Sequence, residues 1–185
     1  MKGYSYSFEK IKSEFDAYFL GLLLTDGYVT TRETDIGIDL CDEDCIKFLS
    51  DAIGKEYKAY EYHSNNDLVK SSGIRYRLIL SIGKEGVKEA ERFGLVKNKS
   101  LILSAPKLNC EEEKFIPYII RGILDGDGSI GLTSYKSPYV EINSASYDFI
   151  NWIKFILENK LYLKNINIKS SKNGEHILYS IQTAD

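Results

Sequence analysis

One unusual run occurs twice in the chain, and it constrains the fold more than anything else in the sequence. Phe19-Leu20-Gly21-Leu22-Leu23-Leu24-Thr25-Asp26-Gly27 is matched by Ile120-Arg121-Gly122-Ile123-Leu124-Asp125-Gly126-Asp127-Gly128. Each is an apolar, helix-like stretch with a glycine inside it and Asp-Gly at its end, so each delivers one carboxylate at a helix C-terminus. Leu20, Leu22, Leu23 and Leu24 make the first run apolar on every side, the pattern of a helix buried all round. It is too short to cross a membrane. Gly21 and Thr25 lie four residues apart, as do Gly122 and Gly126, so each helix has one face of small residues. Glycine costs roughly 1 kcal/mol in a helix interior, and accepting that penalty at two matching positions indicates close backbone approach. Packed face to face, the helices bring Asp26 and Asp127 together at one end.

Two adjacent carboxylates make a metal site. An acid at a helix C-terminus is disfavoured by the macrodipole, and a bound cation reverses that penalty. Carboxylate oxygens, with the backbone carbonyls of Thr25 and Gly126, are hard ligands of the kind magnesium takes. Gly27 and Gly128 fit the left-handed residue that commonly follows a helix, and strand-like sequence comes next in both copies. For either run alone, a core helix with an ordinary C-terminal turn explains the residues as well; the repetition changes the balance. An EF-hand is excluded, because the loop beginning at Asp125 has Ile130 at the invariant glycine position and Lys136 at the bidentate glutamate position.

The 185 residues suffice for one domain or two small ones. With no signal, transit or membrane-spanning pattern, the expectation is an intracellular protein, cytoplasmic or organellar. Cys41, Cys45 and Cys110 lack paired spacing, and with His63 and His176 they form no zinc signature; Cys41 and Cys45 read as small apolar residues on one helix face. The net charge of −3 is awkward for a nucleic-acid binder. Its distribution is more permissive: Lys70, Arg75, Arg77, Lys164, Lys169 and Lys172 fall in or beside strand-like segments, away from the acidic stretches 39–51 and 111–113.

Setting Asp26 against Asp127 brings the rest of the chain into register. The amphipathic helix start at Asp44–Leu49 falls against Asp148–Ile153, and the second hairpin strand Arg77–Ile82 against His176–Ile181. Each half reads helix, hairpin, helix, hairpin, giving an α+β fold of two units, 1–110 (with linker) and 111–185. The first half continues through a helical stretch, 84–93, then Lys97, Lys99 and a linker containing Pro106. By register the second half is short of its last helix and of a counterpart to Lys99. A truncated chain and a naturally shortened copy both fit.

With those residues in view, the chain resembles the LAGLIDADG homing endonucleases in their monomeric, two-motif form. The most specific stretch runs from Leu95-Val96-Lys97-Asn98-Lys99-Ser100-Leu101 through Pro106 to the second motif, where Arg121-Gly122 enters the helix. The resemblance implies two pseudo-symmetric αββαββα halves, the second lacking its terminal helix, with motif helices at the interface and two sheets forming a saddle over double-stranded DNA with a long target site. It makes Asp26 and Asp127 the metal ligands, for Mg2+ or Mn2+, and Lys99 the basic residue near the scissile phosphate, with Lys97 a close second. Asp125 is not expected to bind metal, and Leu24, which stands at its position in motif one, leaves the site intact. DNA contacts are expected from Arg32, Lys70, Arg75, Arg77, Lys136, Lys169 and Lys172. The implied activity is site-specific, metal-dependent double-strand cleavage by a monomer, with no membrane partner. A non-cleaving regulator or RNA maturase of the same fold is the alternative, favoured by the negative charge and short second half and opposed by retention of both aspartates and Lys99. An intein-embedded endonuclease is less favoured, for want of splicing segments.

Overall fold

Ser13 starts the first helix by accepting a hydrogen bond from the Asp16 N–H, satisfying one of the free donors of a helix N-terminus. In the computed structural model, which describes residues 6–63, 72–132, 134, 136–174 and 176–183, this helix, α1, runs Glu14–Thr25 and buries Ala17 and every residue from Phe19 to Leu24. Its repeat, α4, runs Ile116–Asp127 with Pro117 in the first turn, where a missing N–H does no harm. The two cross at their glycines. A Cβ on Gly21 would stand 2.3 Å from the Ile119 carbonyl oxygen, and one on Gly122 would stand 2.1 Å from that of Tyr18, so no side chain fits at either position.

Each motif helix leads into a four-stranded antiparallel sheet. In the first half β1 (Gly27–Val29), β2 (Asp35–Leu40), β3 (Tyr57–His63) and β4 (Ser72–Ser81) lie in the order β1-β2-β4-β3. In the second half β5 (Gly128–Leu132), β6 (Pro138–Ser144), β7 (Asn167–Asn173) and β8 (His176–Thr183) repeat that order as β5-β6-β8-β7. Between the hairpins come α2 (Glu43–Ile53) and α5 (Tyr147–Asn159), capped by the side chains of Asp42 and Ser146. Period-two alternation sends Ile36, Ile38, Leu78 and Leu80, and in the second half Ile142 and Ile181, into the core. The opposite sheet faces carry the polar residues. This is the two-unit α+β fold expected from the repeat.

The halves differ in one respect. After β4, α3 (Gly83–Glu91) packs against β2; among the described residues no helix follows β8. Equivalent pairing, Gly27 with Ile38 and Gly128 with Ile142, sets Val29 against Ile130. Val29 is 8% exposed and Ile130 82%.

The linker between the halves is fastened by Glu112. Its carboxylate accepts from Arg92 at 2.6 and 2.9 Å and from the N–H groups of Ile11 and Asn109 at 3.0 Å each. Further along, the Ser146 hydroxyl donates to the Leu103 carbonyl at 2.6 Å while capping α5.

Two local expectations fail. Gly27 and Gly128 are not left-handed: neither has a positive φ, and Gly128 is extended (φ −75°, ψ 149°). Glycine is required there because a Cβ would stand 2.5 Å from the Leu23 carbonyl oxygen or 2.4 Å from that of Leu124, where the chain folds back on its own helix. Cys41 and Cys45 do not share a helix face, since Cys41 precedes α2 and is exposed.

Candidate functional site

Asp26 caps α1 through its N–H, which donates to the Leu22 carbonyl at 2.9 Å. Its carboxylate reaches across to α4: a Cβ on Gly126 would stand 2.9 Å from Asp26 Oδ2 and 2.0 Å from Thr25 Oγ1. The small faces therefore continue to the helix ends, and the Asp26 carboxylate lies against Gly126, the residue before Asp127 at the end of α4. Thr25 steadies the arrangement, its hydroxyl proton shared between the Leu22 carbonyl at 2.9 Å and Asp26 Oδ2 at 3.3 Å.

Lys99 completes the centre. Asn98 takes the left-handed conformation (φ 55°) that asparagine tolerates, and the following 3₁₀ turn, Lys99–Leu101, turns the lysine inward until it is 8% exposed. Its Nζ donates to the Thr25 carbonyl at 2.8 Å. Burial pushes its pKa down, opposed by the negative charges of Asp127 and Asp26. Lys97, in contrast, lies on the surface with Nζ 3.4 Å from Glu33.

The carboxylates carry the opposite strain. Burial pushes the pKa of Asp26 up, with the Thr25 hydrogen bond and then the charges of Lys99 and Arg75 pulling the other way. Burial also raises Asp127, the charge of Asp26 raises it further, and Lys99 opposes both. Two desolvated, like-charged carboxylates at the negative ends of two helices are a set that a divalent cation stabilises. Asp26 and Asp127 would hold it. The Thr25 carbonyl already accepts from Lys99, which leaves it a single free lone pair.

Beside the carboxylates, Thr25, Lys99, Asp127, Asn143, Ser144 and Leu178 line a cavity of about 280 Å³. Asn143 and Ser144 were not legible as site residues. The only signal for them was the register, which places the end of β6 next to the second motif.

The open sheet faces hold some of the expected DNA-contacting cations and withhold others. Arg75 and Arg77 point to the open face of the first sheet, two residues apart on β4. Arg77 is engaged: its Nε and Nη2 donate to the two Asp39 oxygens at 2.8 and 2.7 Å, and Nη2 lies 3.2 Å from the Tyr60 hydroxyl. Tyr60 and Tyr28 also donate to Asp39. Although burial pushes Asp39 up, hydrogen bonds from Arg77 and Tyr60 hold it below the usual carboxylate range, and the pairing raises the pKa of Arg77. In the second sheet Lys169 faces outward and donates to Gln182 at 3.0 Å. Lys172 is three residues on, so its side chain has the opposite parity. Arg32 and Lys136 are exposed in the β1–β2 and β5–β6 turns, and Lys70 lies outside the described residues.

Residues 115–184 match the model of the LAGLIDADG-like domain. Over 171 residues, 91% of the chain, the sequence is 29% identical to the DNA-directed RNA polymerase subunit Rpo1C of Methanocaldococcus jannaschii; the match spans 18% of that subunit. The N-terminal LAGLIDADG domain of DUF199/WhiA superimposes with a TM-score of 0.54 at 16% identity, covering 96% of this chain and 77% of that one. The homing endonuclease I-WcaI bound to its DNA recognition sequence gives 0.53 at 17% identity over 93% and 77%. I-DmoI in complex with DNA and Ca gives 0.50 at 16% over 96% and 84%. At these identities the structural likeness is one of fold.

Proposed function

We propose that this chain, a two-motif LAGLIDADG protein, is a site-specific endonuclease that hydrolyses phosphodiester bonds of double-stranded DNA with Mg2+ or Mn2+ held by Asp26 and Asp127. The observation that carries this reading is the placement of the Asp26 carboxylate against Gly126, beside Asp127, with buried Lys99 facing both. A purely structural repeat gains nothing from two desolvated acids and a buried ammonium at one point.

Hydrolysis needs a nucleophilic water and neutralisation of the charge that develops on phosphorus and on the leaving oxygen. A divalent ion at the two carboxylates would supply Lewis acidity and a lowered water pKa. The protein supplies the rest. The glycine contact fixes the spacing of Asp26 and Asp127, the Thr25 hydroxyl orients one carboxylate, and Lys99, pinned by the Thr25 carbonyl, places a cation with little freedom to reorganise. Preorganised charge of that kind is typically worth a few kcal/mol. Because one polypeptide carries both motifs, the site is complete in a monomer. The outward residues of the two sheets would read bases in the major groove, as β-ribbons do.

Incubation with a random-site duplex library and Mg2+, followed by sequencing of the ends, tests the reading. Ends should accumulate at one long site and vanish with EDTA; a library left intact would rule the activity out. The second reading, a non-cleaving regulator or RNA maturase of this fold, is favoured by the net charge of −3 and would leave the library bound and uncut.

A further inference from the structure

We propose that the inner face of the second sheet, bare along β5, is a docking site for an amphipathic helix of a protein partner, seated there as α3 is seated on the first sheet. The inference is independent of the endonuclease reading.

Ile130 lies opposite Val140 and Val140 opposite Thr183, while Ile142 lies opposite Gly128 and Ile181. Opposed residues of neighbouring strands point to the same side and alternate along each strand, so Ile130 and Leu132 belong to the face that carries Ile142 and Ile181 into the core. Both are nevertheless open to solvent, Leu132 being 67% exposed. Val140, half-buried, joins them to a cavity of about 210 Å³ whose walls, Leu124, Leu157, Leu161 and Leu163 among them, are aliphatic except for Thr183. The apolar surface also lies at a sheet edge, since the strand order puts β5 outermost. A sheet face of this kind is stable only when another element covers it, and left bare along an edge it marks a place where something binds.

The first half shows what fits. Its equivalent positions, Val29, Ile36 and Ile38, are buried, and α3 packs on β2 with Val87 and Ala90 turned inward. Leu23, buried in the first motif, corresponds to Leu124, which lines the open cavity of the second. On its polar side α3 borders the β1–β2 turn, where Arg32 and Glu33 share a shallow cavity with Lys84, Lys88 and Glu91. Strand order repeats between the halves, so the second sheet offers the same seat, and among the described residues no helix follows β8. Lys136, exposed in the β5–β6 turn, supplies a cation at the rim. The chemistry that fits is a helix with apolar residues at i and i+3 and an acidic residue near its C-terminal end, as Glu91 is placed in α3, laid into the groove by its apolar face.

A labelled synthetic peptide copying residues 83–95, titrated with the full chain and followed by fluorescence anisotropy, tests this. It should bind with a micromolar dissociation constant, and Ile130→Asp should weaken binding by a factor of about 30. Circular dichroism should show the same melting temperature for that variant as for the parent, because Ile130 lies on the surface. A peptide with Val87→Asp leaves the protein untouched and should lose as much affinity, so the test holds even where Ile130→Asp disturbs the fold. No binding at millimolar peptide, or equal binding of the Val87→Asp peptide, would overturn the proposal. Sedimentation equilibrium supplies the other arm: a dimer of the parent that Ile130→Asp turns into a monomer would give the seat to a second copy of this chain and overturn the assignment to a partner helix.

Discussion

Gly21 and Gly122 face each other so closely that a Cβ on Gly21 would lie 2.8 Å from the Gly122 Cα, and one on Gly122 would lie 2.9 Å from the Gly21 Cα. The atoms in the way are backbone, which cannot swing aside. Everything at the site hangs from this crossing, because the carboxylates stand five residues further along the same two segments.

Gly122→Ala is therefore expected to destabilise by about 1–3 kcal/mol or more. At this chain length that is a fall in melting temperature of about 2–4 °C per kcal/mol, readable by circular dichroism, with cleavage lost as the carboxylates separate. Gly73→Ala is the control, since a Cβ there meets nothing within 4 Å; it should stay within about 0.5 kcal/mol of the parent. An unchanged melting temperature in Gly122→Ala would show that the helices do not need this contact.

A pH dependence follows from Glu112, which is 1% exposed. Burial works to raise its pKa, yet hydrogen bonds from Arg92, Asn109 and Ile11 bring it from an ordinary 4.5 down to about 2. A carboxyl depressed in the folded state contributes stability that is complete above the unfolded pKa and is lost as pH falls through the folded one. Urea midpoints should therefore drop between pH 4.5 and about 2. Glu112→Gln removes the charge that faces Arg92, which keeps its bonds to the Glu9 and Lys107 carbonyls; it should cost about 1–3 kcal/mol at neutral pH and should flatten that acid drop. A variant as stable as the parent at pH 7 would contradict the clamp.

The sequence made the site's frame legible and hid its electrostatics. Gly21, Gly122, Asp26 and Asp127 were readable because local spacing determines a helix face, and the halves because pairing order repeats with the motifs. The engagement of Arg77 by Asp39 was not readable, since it joins residues 38 positions apart that only the β2–β4 register brings together. The same holds for Lys99 and the Thr25 carbonyl, 74 positions apart. A glycine directly after a helix predicts a left-handed cap at Gly27 and Gly128, whereas the chain's fold back onto Leu23 and Leu124 imposes a steric requirement that sequence spacing does not display.

If the open sheet face is the DNA face, Asp39 masks a cation there. Asp39→Asn removes the charge that neutralises Arg77 and should tighten binding to a mixed-sequence duplex, steepening the salt slope by up to about 0.9. Fluorescence anisotropy across a salt series reads this directly. Binding weaker than the parent's would mean that the Asp39 network holds the face in shape and that Arg77 does not reach the duplex.

The central claim is that Asp26 and Asp127 form one shared metal-dependent cutting centre, and strand-resolved cleavage of the selected duplex by Asp127→Asn, with DNA binding followed in parallel, tests it most directly. The account predicts that cutting of both strands falls by a factor on the order of 10² or more while affinity for the duplex stays near that of the parent, because it assigns recognition to the sheets. Cleavage by Asp127→Asn at the parental rate, with binding intact, would contradict it.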